Sequence, residues 1–424
     1  MNSNIEINEK DSRALLVGVD CRSNDDVEAM LDELERLADT AGIVTVGKVI
    51  QNRQNPDPAT YIGSGKAEEL SDSCKINNVG LVIFDDELSP SQIKNLEEVF
   101  GGDVRVIDRS MLILDIFALH ATTNEGKIQV ELAQLQYTSP RLIGKGTQLS
   151  RQQGGNIAMR GPGETKLETD RRHLKRRMAA LREQLAEIEK NRATMRGRRD
   201  RSGIKQIAIA GYTNAGKSTL TNYLTGAGIL AEDKLFATLD PTTRRYSLPC
   251  GEEILLTDTV GFIRNLPHHL VEAFKSTLDE VKYADIVVVL IDASDPEYLS
   301  HTAVTRELLL QLDAVSKPVL YVFNKCDRQA VEIPRLLDIP ADDAIYISAK
   351  TGQGVDKLVS RLEELVLDGK RMITLRIPNA NQGALNTAYS FATVVDVEYG
   401  DEYVTAKVIA DERARGMLRE YTVN

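Results

Sequence analysis

The stretch Gly211-Tyr212-Thr213-Asn214-Ala215-Gly216-Lys217-Ser218 decides the fold of this chain, because it matches the phosphate-binding pattern G-x-x-x-x-G-K-[ST]. The apolar run 206–210 before it predicts a buried strand, and residues 219–224 after it predict a helix. A loop between a strand and a helix directs backbone N–H groups and the helix N-terminus at an anion. We therefore expect Lys217 to reach the outer phosphates and the Ser218 hydroxyl to bind Mg²⁺.

Three further segments share one feature with the phosphate loop: each follows an apolar run that predicts a strand. The segment Asn324-Lys325-Cys326-Asp327 indicates which base the bound nucleotide carries. A carboxylate at a strand end can accept hydrogen bonds from N1–H and the exocyclic amine of guanine. Adenine offers no such pair of donors. A third wall of the base pocket is expected from Ser348-Ala349-Lys350.

The remaining segment, Asp258-Thr259-Val260-Gly261, resembles the D-x-x-G box of guanine-nucleotide-binding proteins. In that box the Asp holds the Mg²⁺ shell and the Gly N–H meets the γ-phosphate. The four boxes in this order predict a P-loop GTPase domain with a mostly parallel sheet and helices on both faces.

Between the phosphate loop and D-x-x-G, the segment Phe236-Ala237-Thr238-Leu239-Asp240 and the residues up to Arg244 are expected to form the first switch. We expect Thr238 to bind Mg²⁺ with Ser218, and Thr242 is the second choice. Asp258 would lie behind these two metal ligands. The catalytic roles are assigned to Lys217, Thr238 and Gly261.

The residue after D-x-x-G is Phe262, where many regulatory GTPases place a glutamine that orients the attacking water. A phenyl ring cannot align or deprotonate water, so we expect slow turnover by the chain alone. Water would be positioned by another part of the chain, by a partner or by a monovalent cation; Asn265 and His268 lie nearby in sequence. Asn214 suggests K⁺, although it would equally serve to tighten the turn.

Composition and charge limit the classes to which the chain can belong. Its 424 residues are 42% hydrophobic and 27% charged, which is ordinary for a globular protein of several domains. The four cysteines form no C-x-x-C pair and the five histidines show no metal-ligand spacing, so we expect a reducing compartment and no zinc site. No apolar run approaches a membrane span and the N-terminus is polar and acidic, which favours a cytoplasmic protein without a signal peptide.

The order of elements predicts an α/β multidomain protein. We expect a small α/β domain over 1–109, a helical hairpin over 110–200 with a glycine-rich basic loop at about 140–163, a GTPase domain over 203–368 and a small α+β domain over 370–424. The two helices of the hairpin are expected to be antiparallel. The first should end near Gln136, before Ser139 and Pro140, and the second carries a heptad seam of Leu174, Met178, Leu181, Leu185 and Ile188. In the first domain, Gly63-Ser64-Gly65-Lys66 resembles a shortened phosphate loop, but a turn before a helix explains it better. We expect a monomer.

Positive charge is concentrated in one region of this otherwise acidic chain. The net charge is -11, yet residues 141–205 hold 18 Lys and Arg against 7 Asp and Glu. A charge run usually forms a solvated helix face. Here the excess has one sign and adjoins a long Gln/Arg/Gly loop, which favours contact with RNA phosphates.

The segment Arg160-Gly161-Pro162-Gly163-Glu164-Thr165-Lys166-Leu167-Glu168-Thr169-Asp170-Arg171-Arg172, together with the boxes above, resembles the signature of the HflX family of GTPases. The resemblance spans nearly the whole chain, although Lys166 stands where many members have Gln. It implies a cytoplasmic GTPase that binds the large ribosomal subunit, splits or rescues ribosomes, and reaches rRNA with the hairpin.

Two other classes stay open from the residues themselves. A tRNA-modifying GTPase would need a reactive cysteine or a cofactor site, and the sequence shows neither clearly. A signalling switch that binds protein partners would have no need of a basic hairpin.

Overall fold

A computed structural model describes residues 12–21, 26–152, 162–202, 204–226, 235–236, 238–265, 275–314, 317–328, 339–340, 343–367 and 370–423. The chain folds as two compact units. The first comprises Met1–Met195, Glu232–Asp240 and Asn265–Ser276, and the second Arg196–Ala231, Pro241–Arg264 and Thr277–Asn424. Among the described residues, none of the helices combines the length and the apolar character needed to cross a membrane.

The first unit starts with a four-stranded parallel sheet in the order β2-β1-β3-β4. Its strands are β1 (Arg13–Asp20), β2 (Val44–Asn52), β3 (Leu81–Phe84) and β4 (Arg105–Asp108). Its helices are α1 (Val27–Thr40), α2 (Ser64–Ile76), α3 (Pro90–Val99) and α4 (Arg109–His120). The middle strands are buried along almost their whole length, as central strands of a parallel sheet are. The expected α/β domain is thus present, and Gly63 lies directly before α2, which begins at Ser64.

The hairpin helices are longer than the sequence suggested. We expected the first helix to end near Gln136, before Ser139 and Pro140, but α5 runs over Asn124–Gln152 with Pro140 inside it. A proline inside a helix costs about 3 kcal/mol, so this helix is held by contacts outside itself. Residues 153–161 of the expected glycine-rich loop lie outside the described residues.

Those contacts converge on Asp108, at the end of β4. The Tyr137 hydroxyl donates to Asp108, and the Arg141 guanidinium donates to the same carboxylate at 3.0 Å. Arg141 also lies over the Tyr137 ring, 3.3 Å from its centroid. Because these residues stand on either side of Pro140, they anchor the helix across the proline.

The second hairpin helix, α6 (Pro162–Ser202), packs on α5 through an apolar seam. Buried Leu181 meets Ile128 and Leu132 there, and the expected heptad residues Met178, Leu185 and Ile188 pack beside them. Glu125 pairs with Arg192 at 3.0 Å and Glu131 with Arg177 at 2.6 Å, so residue numbers rise along one helix as they fall along the other. The helices are therefore antiparallel, as expected.

The second unit contains a six-stranded sheet in the order β10-β9-β8-β5-β7-β6. All neighbours are parallel except β6 and β7. Its strands are β5 (Lys205–Gly211), β6 (Thr242–Ser247), β7 (Glu253–Asp258), β8 (Ile286–Asp292), β9 (Val319–Asn324) and β10 (Ala344–Tyr346). Its helices are α7 (Lys217–Thr225), α9 (Tyr298–Gln311), α10 (Val355–Leu367) and, from Thr277 onward, α8 (Lys275–Tyr283). The mostly parallel sheet predicted from the phosphate loop is confirmed.

The chain ends in an antiparallel sheet in the order β12-β13-β11-β14. Its strands are β11 (Arg371–Pro378), β12 (Ala392–Tyr399), β13 (Tyr403–Ala410) and β14 (Thr422–Val423), and its helices are α11 (Gln382–Phe391), α12 (Glu412–Leu418) and the 3-10 turn Arg419–Tyr421. Leu375, Ala388, Val408 and Leu418 form its core. The predicted α+β tail is confirmed.

Candidate nucleotide site

The phosphate loop joins β5 to α7 in a turn that needs glycine at two positions. Gly211 has φ +150°, and a Cβ there would overlap the carbonyl oxygen of Leu290. Gly216 has φ +95°, and a Cβ there would overlap the side-chain amide of Asn324. Asn214 also has positive φ, at 62°, a region that Asn tolerates better than most residues. The residue types of the loop therefore favour this backbone conformation.

Lys217 is the first residue of α7 and its ammonium lies inside this loop. Nζ donates to the carbonyl of Tyr212 at 2.9 Å and to that of Gly211 at 3.3 Å. Burial lowers the pKa of Lys217 to about 8, and the nearby Asp258 carboxylate opposes this. The buried cation is thus placed at the loop, where an anionic phosphate would raise its pKa again.

Ser218, one of the two predicted Mg²⁺ ligands, contacts Asp258, which is expected to lie behind the metal ligands. The Ser218 hydroxyl donates to Asp258 Oδ2 at 2.7 Å. Burial raises the pKa of Asp258, while Lys217 and Ser218 act in the opposite direction. Asp258 Oδ1 is buried and accepts no hydrogen bond from the described residues. A hydroxyl and a carboxylate with an unused oxygen fit the oxygen-ligand preference of Mg²⁺.

The end of the D-x-x-G box lies against the phosphate loop. The Thr213 N–H donates to the Phe262 carbonyl at 2.8 Å, and the Phe262 N–H donates to the Gly211 carbonyl at 3.0 Å. A Cβ on Gly261 would come within 2.7 Å of Thr213 Cα and 3.0 Å of Lys217 Nζ. The position of Gly261 therefore requires glycine. Its expected role, donation by its N–H to the γ-phosphate, stays a prediction.

The side chain of Phe262 is 1% exposed, so it is part of the core and offers nothing to a water molecule. Of the two polar residues named as alternatives, Asn265 lies in a turn with φ 49°, and His268 lies outside the described residues. Phe262 thus fits the expectation that water is oriented by some other group.

The base-recognition segments are tied together and to the phosphate loop. Asn324 Nδ2 donates to the Ala215 carbonyl at 2.8 Å, and its Oδ1 accepts from the Ala349 N–H at 2.9 Å. Lys325 Nζ pairs with Asp292 at 2.7 Å. A hydrogen bond from Ser348 holds the pKa of Asp327 below its ordinary value, so this carboxylate is an acceptor at neutral pH. The Cys326 N–H donates to the Ile347 carbonyl at 3.2 Å.

The structure therefore brings four of the predicted segments together in the second unit: the phosphate loop, Asp258-Thr259-Val260-Gly261, Asn324-Lys325-Cys326-Asp327 and Ser348-Ala349-Lys350. Thr259 and Val260 are buried, and Lys350 is exposed.

The switch segment Phe236–Asp240 belongs to the first unit. Phe236 and Leu239 are buried, Thr238 is partly buried, and Ala237 lies outside the described residues. The roles of Thr238 and Thr242 as metal ligands stay predictions.

Four residues near the site were not predicted from the sequence: Arg264, Asp292, Glu297 and His301. The Tyr212 ring stacks on the His301 ring at 3.8 Å, and the Tyr212 hydroxyl accepts from the Arg264 N–H at 2.8 Å. Arg264 pairs with Glu297 at 2.8 Å. Only Asp292 left a signal in the sequence, as an acidic residue at the end of an apolar run. Asp295, Glu297 and His301 carry ligand atoms within 4.8 Å of one another, but Arg264 already supplies a cation to Glu297.

The basic surface of α6 is partly used inside the hairpin. Arg171, Arg172, Lys175 and Arg176 are exposed. Arg177 instead makes two hydrogen bonds to Glu131, at 2.6 and 2.7 Å. It should therefore be removed from the group of cations expected to contact a polyanion.

Comparison with known families matches three consecutive parts of the chain. Residues 28–118 match the model described as GTP-binding GTPase N-terminal, residues 120–199 GTP-binding GTPase Middle Region, and residues 206–325 50S ribosome-binding GTPase.

Curated relatives match along nearly the full chain. One named GTPase HflX, from Lacrimispora saccharolytica, is 48% identical over 402 residues, which cover 95% of this chain and 94% of the relative. Another of the same name, from Escherichia coli, is 41% identical and covers 92% and 91%. A solved structure described as a GTP-binding protein from Sulfolobus solfataricus in complex with GDP is 26% identical, with a TM-score of 0.45, and the match covers 84% of this chain and 99% of that one.

Proposed function

We propose, on the premise that the chain belongs to the HflX family of GTPases, that it acts on the large ribosomal subunit and takes part in splitting, rescuing or recycling ribosomes. The chain binds GTP and hydrolyses it to GDP and phosphate. The ribosomal role goes beyond this activity. It is carried by one observation: four exposed cations, Arg171, Arg172, Lys175 and Arg176, lie within six residues of α6.

The hairpin would contact rRNA through these cations. Protein cations that neutralise the phosphates of a nucleic acid release its counterions. Such a cluster therefore binds phosphate backbones without reading sequence. The match of residues 206–325 to a model described as 50S ribosome-binding GTPase supports the same partner. We expect the protein to act in the cytoplasm as a monomer.

Hydrolysis would rest on groups that stabilise charge. Lys217 would neutralise the outer phosphates, and the Gly261 N–H would donate to the γ-phosphate. Ser218 and Thr238 would hold Mg²⁺, with Asp258 behind them, and the ion would neutralise charge on the phosphate oxygens. Because Phe262 is buried, the chain itself lacks a water-orienting group at that position. Slow turnover that the ribosome accelerates follows from this arrangement.

The experiment compares GTP turnover by the free protein with turnover after purified large subunits are added. Turnover should rise severalfold on addition and should be lost in Lys217→Ala. Co-sedimentation in GDP, GTP and a non-hydrolysable analogue gives the nucleotide dependence of binding. Fast turnover by the free protein with no response to subunits would instead favour the signalling switch.

A further inference from the structure

One carboxylate of the switch segment accepts hydrogen bonds from four donors on two adjacent threonines. Asp240 Oδ2 accepts from the Thr122 N–H at 2.9 Å, the Thr122 hydroxyl at 2.7 Å and the Thr123 N–H at 2.8 Å. Asp240 Oδ1 accepts from the Thr123 hydroxyl at 2.5 Å. All these residues belong to the first unit, although 117 and 118 positions of sequence separate the partners.

These threonines stand at the start of α5. The Thr123 hydroxyl accepts from the Gly126 N–H at 3.0 Å, and its carbonyl accepts from the Lys127 N–H at 3.1 Å. Asp240 thus places a negative charge at the N-terminus of a helix of 29 residues, where the helix dipole stabilises it. A Cβ on Gly126 would overlap Asp240 Oδ1, so the carboxylate fits only beside a glycine.

The residues before Asp240 are held on the same unit by apolar contacts. Phe236 is 3% exposed and packs edge-on against Phe117 of α4, with ring centroids 4.8 Å apart. Leu235 and Leu239 are buried as well. Phe236 has φ 55°, a conformation costly for a bulky residue that surrounding contacts must maintain.

We infer that Thr122 and Thr123 are positioning residues for the GTPase reaction, because they fix Asp240 and through it the switch segment. Thr238, the expected Mg²⁺ ligand, is two residues before Asp240. Two residues of chain span at most about 7 Å, so the position of Asp240 limits where Thr238 can lie. This inference rests on the proposed function, in which the α5–α6 hairpin meets the ribosome. The four hydrogen bonds join the switch segment to the start of α5, the helix that packs against α6 with its exposed cations.

The first test needs no ribosome. Gly126→Ala introduces a methyl group that displaces the Asp240 carboxylate, and Gly65→Ala is the matched control, since Gly65 also lies in the first turn of a helix and a Cβ there meets nothing within 4 Å. A second variant, T122V/T123V, removes both hydroxyl donors at nearly constant volume. Amide hydrogen exchange over residues 235–240 should quicken by about tenfold or more in both variants, because both weaken the hydrogen bonding of a charged group. Exchange equal to that of Gly65→Ala in both would overturn the inference.

The second test separates positioning from folding. In the presence of large subunits, kcat for GTP should fall by about tenfold in Gly126→Ala and in T122V/T123V, while KM and co-sedimentation stay near the parent values. T122S/T123S keeps the hydroxyl donors and should restore kcat. Stimulation of both disrupted variants to the parent level would overturn the inference. If subunits fail to stimulate the parent, the proposed function is wrong and the exchange experiment decides this inference.

Discussion

The side-chain amide of Asn324 donates a 2.8 Å hydrogen bond to the carbonyl of Ala215, which ties the strand that carries base recognition to the phosphate loop. The same side chain accepts from the N–H of Ala349 at 2.9 Å. One buried amide therefore satisfies backbone groups from two segments that are more than a hundred residues apart in sequence.

We predict that Asn324→Ala weakens GDP binding, because it leaves two buried backbone groups without partners at about 1–3 kcal/mol each. Asn324→Asp keeps the acceptor for Ala349 but loses the donor to Ala215, so its defect should be intermediate. Dissociation of a fluorescent GDP analogue measures both. Equal dissociation rates for parent and Asn324→Ala would contradict the bridging role.

Asp327 should set the choice of base. In Asp327→Asn the acceptor becomes in part a donor, so GTP should bind more weakly and xanthosine triphosphate more tightly, by about 1–3 kcal/mol for one base edge. Competition binding with GTP, ATP and xanthosine triphosphate tests this. An unchanged order of preference would refute the assignment.

Nucleotide binding should weaken at alkaline pH because of Lys217. Its pKa is about 8 without ligand, and phosphate would raise it, so binding above pH 8 takes up a proton. The affinity should then fall by up to about tenfold per pH unit until the pKa of the bound state is reached. Calorimetry of GDP binding without Mg²⁺, in two buffers of different ionisation enthalpy, counts the protons. Lys217→Arg stays charged throughout and should show no such uptake.

K⁺ should accelerate turnover relative to Na⁺ if Asn214 helps to hold a monovalent cation. The informative variant is Asn214→Gly, because glycine accepts the positive φ of 62° while removing the side-chain oxygen. The ratio of turnover in K⁺ to turnover in Na⁺ should exceed one in the parent and drop to about one in the variant. An identical ratio in both proteins would mean that Asn214 only shapes the turn.

Neutralising Arg171, Arg172, Lys175 and Arg176 together should weaken ribosome binding and flatten its salt dependence. The slope should decrease by about 0.7–0.9 for each phosphate that the protein no longer neutralises. The control replaces Arg177 and Glu131 together by glutamine, because these two already neutralise each other. Co-sedimentation over a salt series distinguishes them. If the fourfold variant binds like the control, the hairpin is a scaffold and the ribosome is bound by another surface.

Local patterns of residues were enough to predict the nucleotide boxes. The phosphate loop is contiguous, and its glycines, Lys217 and Ser218 act within eight residues. The other boxes follow apolar runs, and parallel strands present their carboxyl ends at one edge of a sheet. Strand order did not have to be known to place Asp258, Asn324 and Ser348 near one another. The heptad seam around Leu181 was equally legible, because its period is local.

Long-range contacts could not be read in this way. Pro140 signals a break in any local pattern, yet α5 continues because Tyr137 and Arg141 both reach Asp108 on another element. The sequence does not distinguish Arg177 from its basic neighbours, because its ion pair with Glu131 depends on how α5 and α6 pack.

The sequence by itself therefore determined the chemistry of the site, since each box carries its own backbone shape and donor groups. Tertiary structure alone decided that Asp240 is held by Thr122 and Thr123. The physical reason is that a single hydrogen bond between distant residues leaves no periodicity or composition in the chain, and exists only where packing brings its two ends within 3 Å.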